Sequence, residues 1–245
     1  MKILTKITEI CHSLLQNHPE ASEAREYFNS RIPKEAQEEY QAGFFPDQTN
    51  LQLITDLISE EKLVKSGLFH YRIIDGESFL GAFFEKHNFI FPYKDAYGKI
   101  VALVGRSPTE TKMKYKNTSF RKRNHLFGLF KAKKAILENN CAYVVEGQFD
   151  CIQAQINGLE NCVCLGGSSL TFDQLALLKR YTNKVILLLD NDPAGLLGMD
   201  KAIKNFGSMA EIKKGKIPEG YKDIDQFISQ EGKKAAEYIK NLAAI

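Results

Sequence analysis

The sequence predicts an α/β protein: an α+β N-terminal part, followed by a mainly parallel sheet with helices covering both faces. Three observations predict this fold. Short apolar segments alternate with helical segments from residue 141 onward, the first third of the chain has helical periodicity, and β-like runs lie between residues 70 and 106. Apolar strands that alternate with helices are typical of a parallel sheet buried on both faces.

In the N-terminal part, helices are predicted over residues 2–16, 19–30 and 34–42, the last two opened by Pro19 and Pro33. Strands are predicted at NFIFPY (88–93) and KIVALVG (99–105), with a turn over residues 95–98. We expect an N-terminal subdomain over residues 1–137 and a catalytic domain over residues 138–245, the latter ending in short helices.

The second part alternates regularly between strands and helices. Strands are predicted at 142–145, 162–165, 184–189 and 209–214, and helices at 149–158, 171–181 and 193–206. In parallel sheets of this kind, functional groups gather beyond the carboxyl ends of the strands.

Charge is distributed unevenly along the chain, although its net charge is only +3. Residues 111–134 contain nine lysines or arginines and no acid, which favours a polyanionic partner such as nucleic acid or nucleotide. A solvated surface is the alternative. No segment is long and apolar enough to predict a membrane span, and the N-terminal residues do not form a signal peptide, so the cytoplasm is the expected location.

The cysteine pattern argues against a disulfide framework and against a structural zinc site. The count is odd, at five, and no CxxC pair occurs. Buried apolar thiols are the better interpretation.

Acidic residues follow the predicted strands. Glu146 directly follows AYVV, Asp190 and Asp192 follow KVILLL, and Asp223 and Asp225 lie beyond the last strand. Neighbouring strands are about 4.8 Å apart, so these carboxylates can converge on one ion. Oxygen ligands of this kind suit Mg²⁺ or Mn²⁺.

Helix capping is the competing interpretation for some of these acids. Asp150 and Asp192 each lie at the start of a predicted helix, where a carboxylate stabilises free backbone N–H groups. Capping explains one acid per helix but not acids at three strand ends, so we favour a metal site.

The motifs VVEGQFD, LGGSSLT, LLLDNDPAG and GYKDIDQF, in this order, resemble the Toprim domain of primases, topoisomerases and some nucleases. Upstream, FIFPYKDAYGKIVALVGR and KYKNTSFRKRNHLFGLFKAKKA resemble the RNA-polymerase core of bacterial DnaG-type primases. No counterpart of that family's zinc-binding or helicase-binding regions is recognisable.

The resemblance implies an enzyme that makes short RNA primers on single-stranded DNA from ribonucleoside triphosphates by two-metal phosphoryl transfer. By motif match, the implied catalytic residues are Glu146, Asp150, Asp190 and Asp192. The implied ligands of Mg²⁺ or Mn²⁺ are Glu146, Asp190, Asp192, Asp223 and Asp225. A replicative helicase or a separate zinc-binding subunit is an implied partner.

The family's nucleotide- and template-binding basic residues match Arg106, Lys114, Asn117 and Lys122. Family arginines just before the FP segment are replaced here by Lys86 and Asn88, which removes a bidentate phosphate contact. We interpret Lys112, Lys131, Lys133 and Lys134 as surface charges.

Two other functions remain compatible with the sequence. A Toprim nuclease would use the same metal site with water as the nucleophile, and it would degrade an oligonucleotide without any triphosphate-dependent product. A non-catalytic single-strand-binding accessory subunit would bind DNA without divalent ions. The presence of all five acids at the metal positions argues against the second.

Overall fold

The computed structural model describes residues 3–109 and 113–243 of the chain, which form two compact units. The first unit comprises Met1–Tyr93 and Ile100–Phe120, and the second comprises Lys94–Lys99 and Arg121–Ile245. Each unit has its own apolar core.

Helices dominate the beginning of the first unit. They are α1 (Ile3–Asn17), α2 (Ser22–Arg31), α3 (Lys34–Glu39), α4 (Gln52–Thr55) and α5 (Glu60–Lys65). The three predicted helices of this region are confirmed, except that residue 2 lies outside the described residues. The third stops earlier than predicted because Gln41 has φ 53°, a left-handed conformation that a helix cannot continue through.

Two sheets complete the first unit. One has the strand order β1 (Gly43–Phe44), β4 (Phe89–Lys94), β5 (Ile100–Arg106) and β6 (Tyr115–Asn117), which confirms the two predicted strands. The other is an antiparallel hairpin of β2 (Phe69–Ile74) and β3 (Glu77–Ala82). Asp75 and Gly76 both have positive φ at its two-residue turn, as a tight hairpin requires.

The second unit alternates strands and helices. Its elements are α6 (Leu129–Asn139), β7 (Ala142–Val145), α7 (Gln148–Ile156), β8 (Cys162–Cys164), α8 (Phe172–Leu178), β9 (Lys184–Leu187), α9 (Pro193–Phe206), β10 (Glu211–Lys214), α10 (Ile224–Glu231) and α11 (Lys233–Ala243). The predicted strands and helices of this part are confirmed. The boundary predicted between residues 137 and 138 stays a prediction, and α6 runs through that position.

The sheet of the second unit has the order β10, β9, β7, β8, and every pairing is parallel. Side chains alternate between its faces: Val144 and Val185 pack into the core that contains residues of α6, α8 and α9. On the opposite face, Ile186 and Leu188 line a cavity with Ile239 of α11. The predicted parallel sheet with helices on both faces is therefore confirmed.

Buried thiols support this packing. All five cysteines are free and buried, and their burial confirms the prediction of buried thiols. Within the described ranges, no helix combines the length and apolarity needed to cross a membrane.

Candidate metal and nucleotidyl-transfer site

Three neighbouring strands of the second unit deliver the predicted acids to one sheet edge. Glu146 follows β7, the loop with Asp190 and Asp192 lies between β9 and α9, and Asp223 lies beyond β10 at the start of α10. Because β10, β9 and β7 are adjacent and parallel, their carboxyl ends share one edge. The sheet topology thus accounts for the convergence of acids that are distant in sequence.

Among the described residues, Asp150, Asp223 and Asp225 form a tight group of acids. Each offers a carboxylate oxygen, and these oxygens all lie within 4.8 Å of one another. Two oxygens bound to the same Mg²⁺ at about 2.1 Å are at most about 4.2 Å apart. The spacing of the three carboxylate oxygens is therefore close to the spacing that one divalent ion requires, and the donor set fits such an ion.

Backbone donors fix Asp150 within the triad. One oxygen accepts a hydrogen bond from the Gly147 backbone N–H at 2.9 Å, and the other accepts one from the Asp225 backbone N–H at 3.1 Å. The second bond joins the first turn of α7 to the first turn of α10, although Asp150 and Asp225 are 75 positions apart in the sequence. Asp150 is thereby held rigidly in front of the two later aspartates.

Burial, together with the charges of Asp223, Asp190 and Asp225, raises the pKa of Asp150 from 3.8 to about 8. The hydrogen bond from the Asp225 backbone opposes this shift. A buried carboxyl surrounded by other carboxyls ionises easily only when a cation compensates the charge. The raised pKa therefore reflects the burial of Asp150 among other acids, the setting in which a bound cation stabilises the ionised form.

The pKa of Glu146 is also raised, from 4.5 to about 7, by partial burial and then by the charges of Asp190 and Asp192. Lys222 and Lys122 act in the opposite direction and lower it. Glu146, Asp190 and Asp192 are therefore close enough to interact electrostatically. Within the part of the chain that the structure describes, however, they do not belong to a group as tight as the Asp150 triad.

The capping interpretation, made for Asp150 and Asp192, agrees with the structure at both positions, since Asp150 accepts from the backbone N–H of Gly147, the N-cap residue of α7. Asp223 is a third capping acid that the sequence interpretation did not include. Asp192 accepts a hydrogen bond from the Gly195 N–H at 2.8 Å and caps α9, and Asp223 accepts one from the Gln226 N–H at 2.8 Å and caps α10. Each cap uses one carboxylate oxygen, Oδ1. Since a carboxylate has two oxygens with several lone pairs, capping and ion binding are compatible.

Lys122 lies inside the second unit beside Glu146. Its Nζ donates to the Gly166 carbonyl oxygen at 2.6 Å. Gly166 in turn donates its backbone N–H to the Glu146 carbonyl oxygen at 3.0 Å. The glycine-rich loop after β8 therefore positions both the lysine and the strand end that carries the glutamate.

The other predicted basic positions belong to the first unit. Arg106 lies over the Tyr27 ring with its guanidinium carbon 4.6 Å from the ring centre. Lys114 and Lys86 are exposed, and Asn117 is half-buried on β6. All four side chains reach solvent.

The structure also places the lysines that we interpreted as surface charges. Lys134 is exposed and forms an ion pair with Glu138 at 3.7 Å. Lys133 donates to the Ala96 carbonyl oxygen at 3.0 Å and lies over the Phe130 ring. Lys131 is half-buried, and Lys112 lies outside the described residues.

Sequence reasoning missed Lys222 and Asn191. Lys222 is the basic residue that acts most strongly on Glu146, and Asn191 bonds the loop after β9 to the loop before α10. Both lie between or beside the predicted acids, in the segments GYKDID and DND, and this position could have indicated a role at the site. Their partners, however, become visible only when the loops are folded together.

A parallel sheet that gathers a glutamate and two pairs of aspartates at its carboxyl edge defines a Toprim-type domain, and the Toprim-like family model matches residues 143–228. The model of the DNA primase catalytic core, N-terminal domain, matches residues 10–133. The chain belongs to this DNA primase catalytic-core family.

Relatives and solved structures agree with this assignment. The DNA primase of Aquifex aeolicus is 31% identical over 251 residues, which cover 98% of this chain and 49% of that protein. The DNA primase of Enterococcus faecalis is 31% identical over 99% of this chain and 40% of its own length. The chain thus spans half or less of these two curated relatives.

Two solved structures show the same fold over almost the whole chain. The Aquifex aeolicus primase structure, with zinc-binding and RNA polymerase domains, has a TM-score of 0.82 at 31% identity and covers 97% of this chain and 59% of that one. A DnaG primase catalytic domain bound to single-stranded DNA has a TM-score of 0.80 at 27% identity. The match covers 97% of this chain and 79% of that one.

Proposed function

We propose that this chain synthesises short RNA primers from ribonucleoside triphosphates on single-stranded DNA, with Mg²⁺ or Mn²⁺ at the acidic edge of its parallel sheet. The triad of Asp150, Asp223 and Asp225 carries the proposal, because its geometry fits a divalent ion and burial raises the pKa of Asp150 to about 8. Membership of the primase family supplies the reaction class.

We assign each acid a role in ion binding or proton transfer according to its position. Asp223 and Asp225 would hold an ion together with Asp150, and Asp190 and Asp192 would contribute ligands from the adjacent loop. Glu146, with a pKa near 7, is suited to bind an ion or to accept the proton of the attacking 3′-hydroxyl. Bound divalent ions would supply charge stabilisation for the attacking and leaving oxygens.

The basic residues balance the charge of the substrates. Lys122 is held against the glycine-rich loop, close enough to Glu146 to affect its pKa, so it can contact a triphosphate near the acids. Arg106, Lys114, Asn117 and Lys86 are the proposed contacts for template phosphates or the incoming nucleotide. Lys86 offers a point charge where family members have a bidentate arginine.

A replicative helicase or a separate zinc-binding subunit is proposed as a partner, and the cytoplasm as the location. The resemblance to bacterial replication primases supports both proposals. Adding a purified helicase or zinc-binding subunit to the priming assay tests the first, and it should increase primer yield or template selectivity.

The test is a priming assay on mixed-sequence single-stranded DNA with four ribonucleotides, with and without Mg²⁺. We expect Mg²⁺-dependent RNA products, and we expect Glu146→Gln to reduce them at least about 100-fold while the thermal transition is retained. Glu160→Gln, the same change at an exposed position of the same unit, serves as the control and should keep full activity.

Two results would contradict the proposal. Full activity of Glu146→Gln would refute the role of that residue. Degradation of the template without any triphosphate-dependent product would show a nuclease instead.

A further inference from the structure

We propose that Asn191 is a positioning residue that locks the two aspartate-bearing loops together, so that the ion site is assembled before an ion binds. This inference rests on the proposed function, since it concerns the same acids. The side-chain NH₂ group of Asn191 is engaged with protein carbonyls, so we assign it no direct contact with substrate or ion. It acts through the loops that carry Asp190, Asp192, Asp223 and Asp225.

Three hydrogen bonds carry the proposal. The Asn191 backbone N–H donates to the Lys222 carbonyl oxygen at 2.7 Å. Its side-chain Nδ2 donates to the carbonyl oxygens of Tyr221 at 2.8 Å and Ile217 at 3.3 Å. A single residue of the loop after β9 is thus bonded to three carbonyls of the segment between β10 and α10.

The chemistry of the partners explains why asparagine occupies this position. All three partners are carbonyl oxygens, which only accept hydrogen bonds. An aspartate would place carboxylate oxygens against these carbonyl oxygens, so no hydrogen bond could form. It would also add a further negative charge. A glycine would keep only the backbone bond. A short side chain that ends in an NH₂ group satisfies two carbonyls at once.

Each of the two loops is also held by the helix that follows it. Gly195 in α9 packs so closely on the Asp190 carbonyl that an added Cβ would lie 2.2 Å from the oxygen. On the other loop, the Lys222 backbone N–H donates to the Gln226 side chain at 2.7 Å. Each loop is anchored to the helix that follows it, and Asn191 supplies the cross-connection between them.

This cross-connection opposes a specific force. The acids on the two loops repel one another when ionised, and no covalent link holds the loops together. Without the hydrogen bonds from the Asn191 side-chain amide, the loops separate until an ion draws them together. The free energy of ion binding then includes the cost of ordering the loops. Ion affinity should fall more than the maximal rate, because a saturating ion restores the same geometry.

The experiment compares the full chain with Asn191→Ala and Asn191→Asp. Asn205→Ala, an exposed asparagine on α9, is the matched control. Binding of Mn²⁺ is measured directly from the free-ion signal in electron paramagnetic resonance. Primer synthesis is then titrated with Mg²⁺.

We expect Asn191→Ala to raise the half-saturating Mn²⁺ and Mg²⁺ concentrations about 10-fold, the lower end of the roughly 10- to 100-fold loss caused by removing a residue bonded to a metal ligand, because Asn191 bonds the loops and not the ligand side chains. The rate at saturating Mg²⁺ should stay within about 3-fold of the unmodified chain. Asn191→Asp should show a similar or larger loss at the same side-chain size, and Asn205→Ala should show none.

The outcomes separate this inference from the proposed function. If the unmodified chain binds no Mn²⁺, the metal site itself is refuted. If the unmodified chain binds Mn²⁺ and both Asn191 variants bind it equally well, the positioning role is refuted while the proposed function stands. Loss of the cooperative thermal transition in both variants would also overturn the inference, because Asn191 would then be needed for folding rather than for positioning.

Discussion

Glu146 illustrates how individual charges set the chemistry of the site. Burial and two aspartates raise its pKa to about 7, while Lys222 and Lys122 lower it. The carboxyl therefore ionises within the physiological pH range, where a group that exchanges a proton or an ion is most effective. Whether Glu146 carries its charge depends on a balance between close acids and close lysines.

Replacing Lys222 with methionine should move the acid limb of the activity profile to higher pH. The lysine stabilises the ionised form of Glu146, so its removal raises the pKa of Glu146 and a higher pH is needed to ionise it. The backbone bonds of residue 222 to Asn191 and Gln226 are unaffected by this change. Primer synthesis is measured from pH 5.5 to 9 at fixed Mg²⁺.

Lys216→Met is the control for this experiment, since Lys216 is an exposed lysine of the same segment that does not act on Glu146. An unchanged acid limb in Lys222→Met would show that the lysine does not govern the ionisation of Glu146. A shift toward lower pH would have the wrong sign and would contradict the electrostatic argument directly.

At the level of the element, the helices after the strands serve two purposes. Asp192 and Asp223 cap α9 and α10 with one oxygen each, so their backbone position is fixed by the helix itself. Helix N-termini also favour negative charge, which partly offsets the repulsion among the acids. Capping therefore helps to fix the position of these carboxylates, whose second oxygen remains available for an ion.

Substitution of Asp223 can separate these two purposes. Asparagine caps helices about as well as aspartate, so Asp223→Asn should retain stability, whereas Asp223→Ala should lose about 1 kcal/mol of unfolding free energy. Both variants should lose most of the stabilisation by Mg²⁺, because both remove a carboxylate from the triad. Chemical denaturation with and without Mg²⁺ measures both effects.

The corresponding substitution at an acid outside the triad provides the comparison. Asp173 lies in the first turn of α8 and is not part of the cluster, so Asp173→Asn should keep its response to Mg²⁺. If Asp223→Asn responds to Mg²⁺ like the unmodified chain, Asp223 does not bind the ion.

Comparison of sequence and structure shows which elements periodicity can predict. The strands and helices from residue 141 onward were predictable because apolar strands and capped helices leave local patterns. The α6 helix was not predicted, because its three lysines belong to the basic segment and that segment was interpreted by its charge and not by its periodicity. The β2–β3 hairpin was only suggested as β-like texture, since exposed residues such as Tyr71 and Ile73 obscure its alternation.

The site shows the same division between local and non-local information. The motifs named the acids and Lys122, because each lies within a short recognisable segment. The approach of Asp150 to Asp225 joins residues 75 positions apart and depends on how α10 packs against α7. That packing cannot be read from either segment alone, which is why the prediction gave Asp150 as a catalytic residue or a helix cap and not as a metal ligand.

For the molecule as a whole, the two raised pKa values couple stability to pH and to divalent ions. Asp150 and Glu146 have a higher pKa in the folded chain than in the unfolded chain, so the folded state binds more protons in the intervening range. Their contribution is present at acidic pH and is lost as pH rises through about 7 and about 8. Divalent ions should reverse the loss by binding the ionised form.

We therefore expect the thermal transition of the ion-free chain to lie several degrees lower at pH 8.5 than at pH 6. Addition of Mg²⁺ should raise the Tm more at pH 8.5 than at pH 6. Scanning calorimetry at both pH values, with Mg²⁺ or with a chelator, measures this dependence. Asp150→Asn should flatten it, and a Tm at pH 8.5 that ignores Mg²⁺ would contradict the linkage.

The bond between Asp150 and the Asp225 backbone also bears on the order in which the protein acquires its properties during synthesis. A ribosome adds residues from the N-terminus, so Glu146, Asp190 and Asp192 emerge well before Asp223 and Asp225. A nascent chain of about 210 residues contains three of the four strands of the parallel sheet, yet it lacks two of the three triad carboxylates. The proposed ion site is thus complete only after the chain has been extended to residue 225.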